Sequence, residues 1–456
     1  MSSTDAAIAL TRFGLGARPG EIEAVARAPR RWLSGQIGAG ERLSGLPGSK
    51  EALTLFQTDY LPRVRTLQDA GGTGEEAERE QGRLQRGLRE IMARHIEART
   101  ALAATTGQGF AERWVRFWSN HFTVAAVNPA MAMLAPTLEA EAVRSHAFSR
   151  FSDLLVAAEL HPAMLVYLDQ AVSVGPNSPA GRRRGRGLNE NLAREILELH
   201  TLGADGGYGQ GDVEALARML TGWTIARPEL GHPEARRGET LFEPRLHEPG
   251  AQTLMGRRFR DDGAGQARAA LLWLAERPQT ARHLAGKLAR HFLADDPPAA
   301  AVDHIERAWL ASGGDLSAVA GAVIAAPGAF EPEAGKFKAP EEYLISVMRA
   351  LDIGDLGRER LAGSLRALGQ MPFTAPSPAG WPDGEADWAS PDALMKRLEF
   401  ANALARRAAD AVHPVARAEA VLGARLTGRT REAVARAESA GQGLTLLFMS
   451  PDFLRR

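Results

Sequence analysis

Runs in which Val, Ile or Thr alternate with polar residues are almost absent from this chain, so a large half-buried sheet has nothing to be built from. Ala, Leu, Arg and Glu recur throughout, and these are strong helix formers. The expected fold is mainly α: a multi-helix globular bundle with long irregular loops and at most a small β-hairpin. With 456 residues, 45% hydrophobic and 24% charged, the chain can bury a large core without staples. It has no Cys, which removes disulfides and thiolate metal sites. Lys+Arg and Asp+Glu are 55 each, whereas a chain that binds phosphate backbones is usually basic. No nucleic-acid partner is therefore expected.

The start of the chain has no basic, apolar and small-residue succession of an export signal. No run reaches the roughly 18 apolar residues of a membrane span. A cytoplasmic location is expected, with the periplasm as the alternative. Ser3 or Thr4 can cap a first helix ending near Arg12. Glu75–Thr105 reads as one long charged helix, Asn128-Pro129 as a cap with Pro at the first helical position, and Asp212 and Asp315 as caps of the helices that follow them. Further helices are expected from Pro340 and from Pro391 to about Ala411. Thr240–Phe242 and Thr253–Met255 would be the two strands of the hairpin. Met371–Ser390, with four prolines and two tryptophans, is a long irregular loop of the kind often used for function.

The densest polar cluster runs from Asn189 to His200. At helical spacing Glu190, Asn191, Arg194, Glu195 and Glu198 share one arc, and Leu192, Ile196, Leu197 and Leu199 fill the opposite one, where His200 should be buried. One reading is a solvated face with an alternating-charge ladder over a core histidine. The other is that Asn191, Glu195 and Glu198 face a cavity, where two carboxylates could divide acid and base roles or hold a cation.

Other clusters carry weaker signals. Trp114, Trp118 and His121 share a helical face, an arrangement that is usually core packing. His161 stands where a cap belongs, and Asp169 where the same helix ends, opposing its dipole. His283, Lys287 and His291 lie at four-residue intervals; the intervening cation argues against a metal site and for a mildly basic face. The basic run Arg182–Arg186 reads as a solvated loop or an anion contact. Trp381 and Trp388 could stack on a ligand or plug their loop onto the core. Walker, GxGxxG, HExxH and GxSxG motifs are all absent, so no nucleotide cofactor is expected.

The order of motifs resembles the bacterial domain-of-unknown-function family 1800. The matching pieces include Arg12-Phe-Gly-Leu-Gly16, Trp118-Ser-Asn-His-Phe122, His161–Asp169, Asn189–Gly203, Leu220–Trp223, His247-Glu248, Lys287-Leu288 and Gly380-Trp-Pro-Asp383. The family's pattern often has Asp after the loop histidine, where this chain has Glu248. The resemblance spans nearly the whole chain. It implies one helical unit over 1–456, with two lobes, 1–172 and 188–456, as the alternative. It also implies a partner similar to sulfatases, because such genes often lie beside those of the family.

Together these signals lead to an enzyme of hydrolase or lyase type, acting by acid–base or cation-assisted chemistry on a polar substrate such as a glycan or ester. Glu195, Glu198, His247 and Asn191 are its candidate catalytic residues. Arg194, Trp381, Asp169 and His121 are its candidate substrate contacts. A divalent cation is the one cofactor entertained. The competing reading is a non-catalytic partner or scaffold working with the sulfatase-like protein.

Overall fold

Helix starts fall where capping chemistry puts them. In a computed structural model describing residues 3–69, 75–184, 187–227, 230–333 and 335–456, Asn128 Oδ1 accepts from the Met131 N–H at 3.0 Å and opens Pro129–Leu138. Asp315 Oδ1 accepts from the Ala318 N–H at 2.9 Å and opens Leu316–Ala325. The long charged helix is Glu75–Thr105. One start differs from expectation. Asp212 lies inside the helix Gln210–Leu220 and reaches back to the Gly209 N–H at 2.9 Å, so it closes a capping box one turn earlier.

The architecture is mainly α, with many helices and two small antiparallel two-stranded sheets among the described residues. β1 (Trp223–Ile225) pairs with β2 (Thr240–Phe242), and β3 (Gln252–Leu254) pairs with β4 (Arg257–Phe259). Both expected strand positions are strands, but they do not pair with each other. Met255 and Gly256, both at positive φ, make the tight turn that folds β3 straight back onto β4. No helix among the described residues is long and apolar enough to cross a membrane.

One contiguous apolar cluster runs from Ala6 to Leu454. Buried arginines pin distant segments to it. The Arg12 guanidinium donates to the Ala329 carbonyl at 2.8 Å, and Arg349 donates to the Gly16 carbonyl at 2.7 Å and the Ala103 carbonyl at 3.0 Å. Gly16 itself sits at φ 100°, where a Cβ would meet Ser346 Oγ at 3.1 Å. The segment Arg12–Gly16 is thus a structural tie, with Phe13 fully buried in the aromatic core.

Among the described residues four helical stretches widen into π turns: Ala9–Phe13, Phe56–Tyr60, Glu139–Val143 and Ile196–His200. Such turns are rare and concentrate at functional sites. Two of them end on, or begin with, a fully buried ionisable residue, His200 and Glu139.

Candidate active site

The helix Pro278–Phe292 starts on Pro278, whose missing N–H costs nothing at that position. Its apolar face, Leu284, Leu288 and Phe292, packs inward, and Phe292 meets the rings of Phe110, Trp114 and Phe117 from the helix Gly109–His121. That packing fixes the two helices side by side. It carries Lys287, one turn before the aromatic contact, to the last residue of the other helix. Lys287 Nζ donates to His121 Nδ1 at 2.9 Å. The opposite ring nitrogen, Nε2, donates to the His200 carbonyl at 3.2 Å. A carbonyl only accepts, so this pairing fixes the tautomer: Nε2 carries the hydrogen and Nδ1 is the acceptor.

Behind the ring, His200 Nδ1 stands 2.7 Å from Glu159 Oε1, both groups wholly buried, at an angle too poor for a hydrogen bond. Burial pushes the Lys287 ammonium down to about 8, with Asp383 partly holding it up. Burial, and after it the Lys287 charge, holds His121 well below the usual histidine range and brings His283 down to about 4. At neutral pH the imidazole is therefore an uncharged acceptor beside an amine that loses its proton easily.

Lys287 and His121 lie in the wall of a cavity of about 310 Å³, shared with Phe117, Asn120, His291, Trp381 and Asp383. The Pro-rich loop closes one side of it, fastened by Asn120. His291 Nδ1 lies 3.1 Å from Asp383 Oδ2, and Lys336 donates to Asp295 and to the Asp383 carbonyl. Burial works to raise the Asp383 carboxyl, but His291, Lys336 and Arg456 outweigh it and keep it ionised.

Among the described residues two buried ionic clusters reach the wall through Arg99, Glu139, Arg113 and Glu342. Glu139, first residue of its π turn, accepts from Arg99 at 2.7 Å, from Ser119 at 2.8 Å and from Arg144 at 2.7 Å. Glu112 accepts from Arg144 and Arg116, and Glu341 lies 2.9 Å from Arg116. Glu342 pairs with Arg113 and, at 2.8 Å, with Arg456. Burial raises the Glu342 carboxyl, but Arg113 and Arg456 overcome that and bring it to about 2.

The residues expected to carry function fall in different places. His121 and Trp381 lie in this cavity wall. Asp169 is exposed, at φ 57°, beside a second cavity of about 510 Å³ with Phe56, Val166, Ile225 and Arg227. Asn191 is exposed, and Arg194 is held by Glu190 and Gln210 at 3.0 and 3.1 Å. Glu195 and Glu198 are half-buried. Burial, then Glu198 and Glu159, raises the Glu195 carboxyl against the pull of His200 and Arg194. Tyr167 and Tyr208 feel the same carboxylates.

His247 is buried among other partners. Its Nδ1 lies 2.8 Å from the Thr221 carbonyl, its Nε2 3.6 Å from Asp261, and Phe242 packs on its face. Glu248 accepts from the Asn177 backbone N–H at 2.8 Å and from Asn177 Nδ2 at 2.6 Å. No hydrogen bond or ion pair among the described residues joins His247 to Glu195 or Glu198. The His247-Glu248 pair straps the loop after β2 to the end of Gln210–Leu220. Arg182 and Arg183 are exposed, and Arg186 lies outside the described residues.

Lys287 was expected on a mildly basic face. A signal for a different role is present in the composition. Only five of the 55 basic residues are lysines: Lys50, Lys287, Lys336, Lys338 and Lys396. Arginine cannot lose its proton, so a lysine inside an arginine-rich chain marks a place where deprotonation is possible. Among the described residues no three His, Asp or Glu side chains are arranged to hold a metal ion.

The family model described as "Protein of unknown function (DUF1800)" matches residues 8–455. No curated protein and no solved structure matches the chain.

Proposed function

We propose that the chain, which belongs to the DUF1800 family, is an acid–base enzyme of hydrolase or lyase type acting on a small polar substrate in the cavity between Gly109–His121, Pro278–Phe292 and the Pro-rich loop. The observation that carries this reading is the 2.9 Å contact from Lys287 Nζ to His121 Nδ1 in the cavity wall. The amine is the proton-transfer group, because it titrates near working pH. His121, locked in one tautomer by the His200 carbonyl, orients the amine by accepting its hydrogen bond at Nδ1. The ionic clusters around Glu139 and Glu342 hold the wall rigid and supply charge without titrating near neutrality. Competitive acetylation of the whole protein across pH tests this: Lys287 should titrate near 8. In a screen of chromogenic glycosides and esters, Lys287→Met should lose at least about a hundredfold in any turnover found. A normal lysine titration, with turnover kept in the variant, would refute the reading.

A second reading is favoured by the raised Glu195 carboxyl. With its carboxyl raised by burial, Glu195, at the entry to the π turn Ile196–His200, is the general acid of this reading. In that case Glu195→Gln, and not Lys287→Met, removes turnover.

A further inference from the structure

Of the five lysines, four are engaged or sealed. Lys50 is paired with Glu239 at 2.7 Å, Lys396 with Asp392 at 2.6 Å, and Lys336 with Asp295. Lys338 is 2% exposed, lies 4.1 Å over the ring of Phe453, and is no part of the cavity wall. Lys287 alone among them combines a place in that wall with an uncharged hydrogen-bond partner, and no carboxylate among the described residues forms an ion pair with it. A lysine held by a carboxylate is kept as an ammonium. One held by the lone pair of a neutral imidazole can surrender a proton and become a nucleophile.

We propose that Lys287 forms an imine with a small hydroxy-substituted aldehyde or ketone bound in the cavity. This deepens the acid–base reading above and rests on it. The step balances with the groups present. The ammonium first loses a proton to solvent, and the neutral amine stays hydrogen-bonded to His121 Nδ1. The amine lone pair then attacks the carbonyl carbon, a C–N bond forms, and the carbonyl π pair moves to oxygen. That oxygen takes up both protons of the new nitrogen and leaves as water, giving the C=N bond. No oxidant or reductant is needed.

Phe117, Phe122 and Trp381 supply an apolar part of the wall, and burial of the amine favours its neutral form. Two nitrogens of the wall residues, His291 Nε2 and Trp381 Nε1, are buried without a hydrogen-bond partner. The Trp381 N–H can only donate. His291, with Nδ1 facing Asp383, presents Nε2 as an acceptor. A hydroxyl group satisfies either, hence the hydroxy-carbonyl class.

The test is reductive trapping on the full chain. The protein is incubated with hydroxyacetone at pH 7.5, reduced with borohydride, and mapped by peptide mass spectrometry. The amine near 8 is neutral on the order of a hundredfold more often than an ordinary lysine, so the adduct should sit on Lys287 in similar excess over Lys50 and Lys396. Lys287→Arg should remove it. His121→Gln should slow its formation while leaving the fold intact by circular dichroism. An adduct spread over Lys50 and Lys396, or one unchanged in Lys287→Arg, overturns the proposal. So does a folded protein that yields no adduct. If Lys287 nevertheless titrates near 8 and its loss abolishes turnover, imine formation fails alone. If it titrates normally, the acid–base reading fails as well.

Discussion

Asn120 holds Trp381 by both sides of one peptide unit's worth of hydrogen bonding. Its Oδ1 accepts from the Trp381 N–H at 2.8 Å and its Nδ2 donates to the Trp381 carbonyl at 3.0 Å, so an amide side chain mimics a strand neighbour. The clamp sits beside Gly380, at φ 86°, where a Cβ would lie 2.5 Å from the Asn120 carbonyl oxygen. Only glycine fits there.

Gly380→Ala should therefore unseat the loop over 371–390. The expected cost is about 2 kcal/mol of stability, read by urea unfolding. Trp381 fluorescence should shift to the red, because the ring loses its seat. Asn120→Ala should give the same spectral change at a cost of about 1–3 kcal/mol, since it leaves the Trp381 peptide groups without partners.

Lys287→Met should make the protein more stable at pH 7. The folded state holds this lysine near 8, below its unfolded value of 10.5, so at neutral pH the native ammonium carries a desolvation penalty of up to about 3 kcal/mol. The sign follows from proton counts. Between pH 8 and 10.5 the unfolded chain binds more protons than the native one, so wild-type stability rises with pH and the advantage of the variant shrinks. Thermal melts across pH 7 to 10.5 measure it; an advantage that does not fall with pH contradicts the depressed amine.

Glu139→Gln should cost about 3–5 kcal/mol, because Arg99 and Arg144 lose the charge they share inside the protein. The other ionic cluster contributes to acid unfolding. The Glu342 carboxyl, about 2 in the fold and 4.5 as its ordinary value, contributes stability that is complete above 4.5 and lost as pH falls toward 2. Glu342→Gln should flatten that part of the stability curve, as followed by circular dichroism.

His247→Ala should loosen the strap after β2 and cost about 1–3 kcal/mol, yet leave the titration of Lys287 unchanged, because none of its partners belongs to the cavity wall. Competitive acetylation of the variant reads this out. A moved Lys287 titration would show coupling between the two regions.

The helical fold was legible because capping is local chemistry. Asn128 and Asp315 need only the next turn to act, and both act as their spacing predicts. Asp212 misled because a carboxylate can serve as cap or as the third residue of a capping box, and the choice depends on whether Gly209 can extend. The burial of His200 was legible from helical projection. The meaning of Lys287 was not. Four-residue spacing shows which side chains share a face, but not whether that face meets water or the end of a helix that lies 166 positions away in sequence. The family motifs marked both partners of that contact, His121 and Lys287, without showing that they touch.

The widened turn at Ile196–His200 has a consequence for how the chain can change. A π turn accommodates one residue more than the surrounding coil would. Deleting a single position there would let the coil close to an ordinary α turn with the residues beyond still in phase, but inserting one would swing every side chain beyond it by roughly a quarter revolution. His200 would rotate away from Glu159, and its carbonyl would no longer fix the ring of His121. Point substitutions along this stretch can be absorbed one by one, but one added residue would dismantle the site at a stroke.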